Sequence, residues 1–232
     1  MLIRFWMGIR IIVLDVQERP IRPQHDPRTI AASSVSQCKH MTISPRLFLA
    51  SKSPRRRDLL DQIGVAYQTL DIDVVEQVAA GEVALDYVRR VARDKARAGL
   101  LKVADVAGAL VLGADTEVVL DGRIFGKPVG VEDASEMLRA LSGRSHDVIS
   151  AVTLLSESDE QSVVSFSTVR FAPMTVQEVE SYVLTGECMG KAGAYAIQGH
   201  AARFIERIEG SYWGIMGLPL FETAGLLRRC GL

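Results

Sequence analysis

The pattern of apolar and polar positions predicts alternating strands and helices from about residue 47 onward. Short apolar runs read as buried strands, and a long stripe of apolar positions at helical spacing predicts the longest helix. Since the elements alternate without a strict βαβ rhythm, we predict an α/β fold with a mixed twisted sheet and flanking helices. The predicted strands are 47–50, 67–72, 109–114, 118–120, 123–125, 146–155, 162–171 and 202–208, and the predicted helices are 54–63, 84–103, 131–141, 175–184 and 218–229.

A two-residue hairpin turn is predicted at Asp121-Gly122. Apolar runs flank this dipeptide on both sides, an arrangement typical of tight hairpins. Counting back from the turn pairs Thr116 with Lys127. This register would place Lys127 diagonally near Asp115, within reach of its long side chain, provided that no bulge interrupts the pairing. The alternative is a surface ion pair of little energetic value.

Three consecutive arginines, Arg55 to Arg57, crowd the first turn of the helix that follows the first strand. Ser53 can cap this helix, and Pro54 suits its first position. Cations here oppose the partial positive charge of the helix N-terminus, at a cost of about 0.3–1 kcal/mol at an exposed site. A bound polyanion would reverse the penalty, because it meets backbone N–H groups and guanidinium groups together. We therefore predict a phosphate-binding site at this turn.

The composition is that of an ordinary globular protein. Of the 232 residues, 48% are hydrophobic and 24% charged, and the net charge of −1 argues against a nucleic-acid-coating protein, which carries a basic excess. No run of about 20 apolar residues occurs, so we expect no membrane partner. Cys38, Cys188 and Cys230 lie far apart in the sequence and match neither a disulfide framework nor a metal-ligand pair. This cysteine usage favours a reducing, cytoplasmic location.

Residues 1–44 are predicted to be a flexible N-terminal extension that precedes one domain, residues 45–232. Much of the extension is rich in Pro, Arg, Gln and Ser without a period. Its apolar beginning lacks a small-residue cleavage site, so a secretory signal is not expected. Met41 stands just before the first predicted strand and is an alternative start of the protein.

Three charged residues near apolar segments are candidates for chemistry. Asp115 follows the predicted strand 109–114, where a carboxylate often faces a cleft and holds a metal or takes a proton from water; the alternative is a turn-initiating aspartate. Lys95 lies at the edge of the apolar stripe of the long helix, where it needs an anionic partner unless it snorkels to solvent. Glu76 could complete a metal site with Asp115, since hard divalent cations prefer carboxylates, or it belongs to a solvated acidic loop.

A loop of small residues at 191–199 is a second informative segment. Its small residues allow close backbone approach, Tyr195 offers a stacking face, and Gln198 can donate and accept hydrogen bonds at a base edge. The alternative is a tight loop between strands. The sequence contains no P-loop, no His-Glu-x-x-His pattern and no Gly-x-Ser-x-Gly elbow.

Taken together and in this order, these segments resemble the Maf family of nucleoside triphosphate pyrophosphatases. The resemblance covers about residues 47–228 and implies a fold similar to inosine triphosphate pyrophosphatase, with a deep cleft between two lobes, usually in a homodimer. It also implies cleavage of a nucleoside triphosphate to the monophosphate and pyrophosphate with a divalent cation such as Mg²⁺, Mn²⁺ or Co²⁺. The matching segments are 49–56, 92–96, 113–116, 126–128, 141–143 followed by His146, 191–199 and 217–219.

The resemblance assigns a role to each candidate residue. Asp115 matches the proton acceptor that activates water. The branch with Arg55, Thr116 and Gln198 implies a preference for dTTP and UTP, with modified pyrimidine nucleotides as further substrates. The predicted site comprises Asp115, Lys95 and Lys127 as catalytic residues, Ser51, Arg55, Arg56, Thr116 and Gln198 as substrate-binding residues, and Glu76 and Asp115 as metal ligands.

Two residues depart from the family pattern, and two other functions stay open. Glu117 stands where an aliphatic residue is usual, and Gly190 where an acid is common. One alternative is an enzyme for 7-methyl-GTP or other purine nucleotides on the same fold. The other is a non-catalytic, nucleic-acid-linked regulator of cell division, against which the near-neutral charge and the presence of Asp115 and Lys127 argue.

Overall fold

A seven-stranded mixed sheet forms the centre of the computed structural model, which describes residues 46–232. The order of the strands is β2-β1-β3-β5-β6-β7, and β4 also pairs with β3. Strand β1 is parallel to β2 and β3, whereas the other pairs are antiparallel. The strands are β1 (Arg46–Ala50), β2 (Tyr67–Thr69), β3 (Ala109–Leu120), β4 (Arg123–Phe125), β5 (Ser145–Leu155), β6 (Glu160–Phe171) and β7 (Ile205–Glu209).

Helices cover both faces of this sheet, which confirms the predicted α/β class. Helix α2 packs on one face against β3 and β5, and α1 and α6 pack on the other. None of the helices within residues 46–232 is long and apolar enough to cross a lipid bilayer. The helices are α1 (Pro54–Gln62), α2 (Ala84–Lys102), α3 (Val131–Leu141), α4 (Val176–Val183), α5 (Tyr212–Met216) and α6 (Leu220–Arg229), with 3₁₀ turns at Ala192–Ala194 and His200–Phe204.

Several predicted boundaries are wrong. The predicted strands 109–114 and 118–120 are one strand, β3, because β5 pairs with it without interruption. Strand β2 ends at Thr69, and the predicted strand 202–208 begins only at Ile205, after a 3₁₀ turn. Helix α5 lies in a segment for which no helix was predicted. The predicted extension, residues 1–44, lies outside the described residues.

Alternate side chains of strand β3 point to the two helical layers. Leu112 and Ala114 pack with α1 and α6, whereas Gly113 and Asp115 face α2. This alternation is the ordinary period of two along a strand. Asp115 is the seventh of the twelve residues of β3, so the prediction that it ends a strand is wrong.

On the face of β3 that carries Leu112, two hydrophobic clusters meet the strand at different points. Leu112 and Ala114 belong to the cluster with α1 and α6, whereas Val118 and Leu120 belong to the cluster with α3 and α4. Thr116 lies between them and belongs to neither cluster. The break between the two cores therefore falls on the central strand, next to Asp115.

Gly113 allows α2 to lie unusually close to β3. A Cβ atom built on Gly113 would lie 2.2 Å from the carbonyl oxygen of Ala92 and 2.5 Å from the backbone nitrogen of Ala96. These backbone atoms cannot move aside without shifting the helix. The absence of a side chain at this position therefore sets the distance between Lys95 on α2 and Asp115 on β3.

We expect Gly113→Ala to lower the free energy of unfolding by about 1–3 kcal/mol, since the new methyl group overpacks the contact between helix and sheet. Urea denaturation of the full chain measures this change. Gly126→Ala is the matched control, because no atom lies within 4 Å of a Cβ built there. Equal denaturation midpoints for the two variants would contradict this account of the packing.

Candidate active site

A gap in the sheet opens beside Asp115. Strand β1 pairs with β3 as far as Gly113, and β4 pairs with it only from Val118 onward. Between these points, no strand of the described chain pairs with β3 on that edge, although β5 holds the other edge throughout. A cavity of about 480 Å³ lies at the gap. All nine predicted site residues line it: Ser51, Arg55, Arg56, Glu76, Lys95, Asp115, Thr116, Lys127 and Gln198.

Hydrogen bonds and ion pairs connect four of these side chains, which are two lysines and two acids. The Lys95 Nζ atom donates to Asp115 Oδ1 at 2.7 Å and also lies 2.7 Å from Glu76 Oε1. The Lys127 Nζ atom donates to Glu76 Oε2 at 2.7 Å. Lys95 and Asp115 are both buried, with exposed fractions of 7% and 4%. Lys95 therefore has two anionic partners and does not snorkel to solvent.

Lys127 reaches this group by a different route from the predicted one. The hairpin turn is correct, because Leu120 pairs with Arg123, but β4 ends at Phe125. The predicted pairing of Thr116 with Lys127 is wrong, since the pairing of β3 with β4 ends at Val118 and Phe125.

The chain leaves the ladder just before Lys127. The carbonyl oxygen of Gly126 accepts a hydrogen bond from the Gly193 backbone N–H at 3.2 Å, and Pro128 has no N–H to donate to a ladder. Lys127 consequently contacts Glu76 rather than Asp115.

Glu76 is held as an anion by the two lysines. Burial by itself would raise the pKa of this carboxyl, but the charges of Lys95 and Lys127, together with their hydrogen bonds, lower the pKa to about 2. Both carboxylate oxygens are occupied, one by each lysine. Glu76 therefore orients two cations at the mouth of the cavity.

The three arginines of α1 have three different environments. Arg57 is exposed, Arg55 is partly buried at the cavity, and Arg56 is 8% exposed. Arg56 donates from Nε to the Gly217 carbonyl oxygen at 2.8 Å and from a terminal nitrogen to Ser51 Oγ at 3.2 Å. Its guanidinium thus joins the end of β1 to the turn before α6.

Arg55 makes no side-chain hydrogen bond or ion pair among residues 46–232 and is available to a ligand. Lys191 also lines the cavity, and its pKa is lowered by burial and next by the charge of Arg55. Neither side chain forms an ion pair within the described chain, so the two cations favour a negatively charged ligand in this cavity. Ser53 stands at the N-cap of α1, but the prediction that its side chain caps the helix is wrong, because the side chain makes no bond to the helix.

Ser150 holds the cavity residue Thr116 from behind the cavity wall, and sequence reasoning missed it. Its hydroxyl donates to the Gly214 carbonyl oxygen at 2.7 Å and lies 2.7 Å from Thr116 Oγ1. Since the single Ser150 proton is directed to a carbonyl, Thr116 must donate to Ser150. The free lone pairs of Thr116 then lie toward Arg56, whose terminal nitrogen is 3.5 Å away. Only the pairing of β3 with β5 brings Ser150 here, so no local signal marks it.

A buried histidine anchors the loop at 191–199 to the core. His146 Nε2 lies 2.9 Å from the hydroxyl of Tyr195, and Phe171 packs edge-on against both rings. Burial lowers the pKa of His146 to about 4, so the ring is neutral at pH 7. Tyr195 is only 6% exposed, and its ring holds the loop in the core more than it offers a stacking face. Gln198 is exposed beside it, and its amide makes no hydrogen bond within the described chain.

Glu117 brings a second carboxyl to the face of β3 that carries Asp115. It is 7% exposed and lines the cavity. Burial, and next the charge of Asp115, raise the pKa of Glu117 to about 8. Asp115 Oδ2 and Glu117 Oε2 are both buried without a hydrogen-bond partner. Within residues 46–232, no group of three or more His, Cys, Asp or Glu side chains is arranged to hold a metal ion.

Comparisons with known proteins match most of the described chain. A family profile described as "Maf-like protein" matches residues 46–230. A Xanthomonas campestris protein named dTTP/UTP pyrophosphatase is 54% identical over 80% of this chain and 98% of its own length. A Methylococcus capsulatus protein of the same name is 52% identical over 81% of this chain and 92% of its own. A Xylella fastidiosa protein named nucleoside triphosphate pyrophosphatase is 50% identical over 78% of this chain and 96% of its own length.

Among solved structures, a Vibrio cholerae protein aligns with 62% of this chain and 79% of its own at a TM-score of 0.35 and 11% identity. A TM-score at this level carries no argument about the fold. The family profile and the relatives, in contrast, cover nearly the whole described region, including the gap in the sheet and every predicted site residue. The chain therefore belongs to the Maf family.

Proposed function

We propose that this chain hydrolyses nucleoside triphosphates, with dTTP and UTP preferred and modified pyrimidine nucleotides as further substrates, to the monophosphate and pyrophosphate. The similarity to relatives named dTTP/UTP pyrophosphatase supports this activity. One structural observation carries the proposal. The arginine-bearing start of α1 and the buried Asp115–Lys95 pair, which lie far apart in the sequence, line one cavity.

The triphosphate would lie along the cationic side of the cavity. Arg55 and Lys191 form no ion pair among residues 46–232 and can bind phosphate oxygens there, and Lys127 lines the same cavity together with Glu76. The first turn of α1 adds backbone N–H groups that the Ser53 side chain does not cap. Arg56 is committed to Gly217 and Ser51, so its main role is to hold the shape of this side.

Asp115 is the group that would accept a proton from the attacking water. One of its oxygens is bonded to Lys95, and Oδ2 is left without a partner. A carboxylate oxygen without a hydrogen-bond partner is suited to orient a water and take its proton. Lys95 and Lys127 would stabilise the negative charge that spreads over the phosphate oxygens during transfer, a task that needs fixed cations more than covalent chemistry.

A divalent cation fits the donor set of this cavity. The unpartnered oxygens of Asp115 and Glu117 are carboxylate oxygens, the ligands that Mg²⁺ and Mn²⁺ prefer. Mg²⁺ usually takes one or two carboxylates and completes its sphere with water and substrate phosphate, which agrees with the small number of acids here. When bound, the cation would withdraw charge from the phosphate oxygens. Asp115 and Glu76 remain the ligands that the family resemblance predicts.

The pyrimidine preference would come from the exposed amide of Gln198 and from Thr116. An amide can donate and accept at once, as the N3–H and O4 edge of uracil or thymine requires. We further propose a cytoplasmic homodimer that acts on free nucleotides and not on nucleic acid. The net charge of −1 supports free nucleotides as substrates, and the spacing of the cysteines supports a reducing compartment, whereas the homodimer is what the family resemblance implies.

Asp115→Asn should lose about 10²- to 10⁴-fold in turnover, because an amide cannot accept the proton of the attacking water. Release of pyrophosphate from dTTP and UTP measures the rate, and circular dichroism shows that the fold is kept. Asp105→Asn is the control, since Asp105 is exposed and lies outside the cavity. A near-native rate for Asp115→Asn would remove Asp115 from this role.

A nucleotide panel tests the substrate class and the metal requirement together. With Mg²⁺, Mn²⁺ or Co²⁺ present, dTTP and UTP should be hydrolysed faster than 7-methyl-GTP, GTP and ATP, and EDTA should abolish the release of pyrophosphate. A preference for purines would favour the first alternative function. DNA binding that weakens with salt, without hydrolysis of any nucleotide, would favour the second.

A further inference from the structure

Glu117 lies beside Asp115 on the central strand, and neither the phosphate binding nor the proton transfer proposed above uses it. Residues two apart on a strand point to the same face and are separated by about 6.6 Å along it. Both side chains line the cavity, and their partners on β5, Ala151 and Ile149, pack against α2 on the same face. The fold therefore presents two carboxyl groups, side by side, to one cavity.

Each of these carboxyl groups has one buried oxygen without a hydrogen-bond partner. These atoms are Asp115 Oδ2 and Glu117 Oε2, and the two residues are 4% and 7% exposed. A buried polar atom without a partner is destabilising, so two such atoms close together favour the binding of another group. Two such oxygens on neighbouring residues that both line one cavity favour a donor or a cation between them.

The lysines of the site do not meet this need. Lys95 is bonded to Asp115 Oδ1 and Glu76, and Lys127 is bonded to Glu76. Glu117 forms no ion pair with any residue in the range 46–232. Of the three carboxyl groups, Glu76 and Asp115 therefore have lysine partners, whereas Glu117 has none within the described chain.

Glu76 is less suited than Glu117 to hold a cation. Both Glu76 oxygens are bonded to lysines at 2.7 Å, so coordination would have to break one of these contacts. Glu117 offers an oxygen that no other group uses. A cation at Glu117 would also remove the cost of burying a second acid next to Asp115.

We propose that Glu117 joins Asp115 in holding a divalent cation, and that Glu76 serves to orient Lys95 and Lys127. This inference rests on the proposed function only in that water and triphosphate oxygens complete the coordination. Two carboxylates with otherwise external ligands are an ordinary arrangement for Mg²⁺ or Mn²⁺. Glu117 is then a metal ligand that the family resemblance, which expects an aliphatic residue here, does not supply.

The test measures Mn²⁺ binding to the full chain by the electron paramagnetic resonance signal of free Mn²⁺, with and without α,β-methylene-dTTP, which cannot be cleaved. Glu117→Gln keeps the shape of the side chain and removes the charge, and Glu117→Val supplies an aliphatic residue. We expect each to weaken Mn²⁺ binding at least about tenfold, because even outer partners of metal sites typically contribute 10- to 100-fold. Asp115→Asn should show a loss of similar size.

Two further variants make the result specific. Glu222→Gln is the matched control, because Glu222 also has a buried oxygen without a partner but lies outside the cavity, and its Mn²⁺ affinity should stay within twofold of the wild type. Glu76→Gln should weaken Mn²⁺ binding less than Glu117→Gln. Thermal melts add a readout that misfolding would not imitate, since Mn²⁺ should raise the melting temperature of the wild type more than that of Glu117→Gln.

Unchanged Mn²⁺ affinity in folded Glu117→Gln and Glu117→Val overturns the inference, whatever the chain hydrolyses. A loss in Glu76→Gln that equals or exceeds the loss in Glu117→Gln overturns it as well. If Mn²⁺ binds as expected but no nucleotide releases pyrophosphate, the proposed function fails while the metal site stands. The two proposals are therefore tested separately.

Discussion

The buried ion pair between Lys95 and Asp115 is the interaction on which the site depends. A carboxylate in the middle of a central strand is costly to bury unless a cation and hydrogen bonds compensate it. Lys95 supplies both, and Glu76 holds the other side of the same ammonium group. The pair forms because α2 lies close to β3 at Gly113, where any side chain would strike the helix backbone. A packing detail of the fold thus sets the electrostatics of the cavity.

The gap in the sheet is the second constraint. Strand β3 has to continue past the end of β1, and β5 makes this possible by pairing with it along nearly its whole length. The unpaired edge at residues 114–117 then exposes side chains from both faces of the strand to one cavity. Asp115 and Glu117 come from the α2 face, and Thr116 comes from the α1 face.

Much of the site could be predicted from the sequence, because its chemistry is carried by local segments. The arginine cluster after a strand, the Asp121-Gly122 turn and the lysine at the edge of a helical stripe each depend on a few neighbouring residues. The failures share a different cause. The pairing of Thr116 with Ser150, and the end of β4 before Lys127, depend on a contact with Gly193 and on the register of β5. Local patterns do not report such contacts.

The amino-acid sequence by itself determined the family, the α/β class and the set of residues that could meet a triphosphate, since periodicity, turn chemistry and short motifs act over a few residues. Only the tertiary structure decided what each residue does there. Arg56 is tied to a carbonyl 161 positions away and leaves Arg55 free for a ligand. Glu117 shares the cavity with an acid whose lysine is already in use. Long-range packing decides which of several chemically similar side chains obtains a hydrogen-bond or ion-pair partner. The linear sequence does not show these contacts.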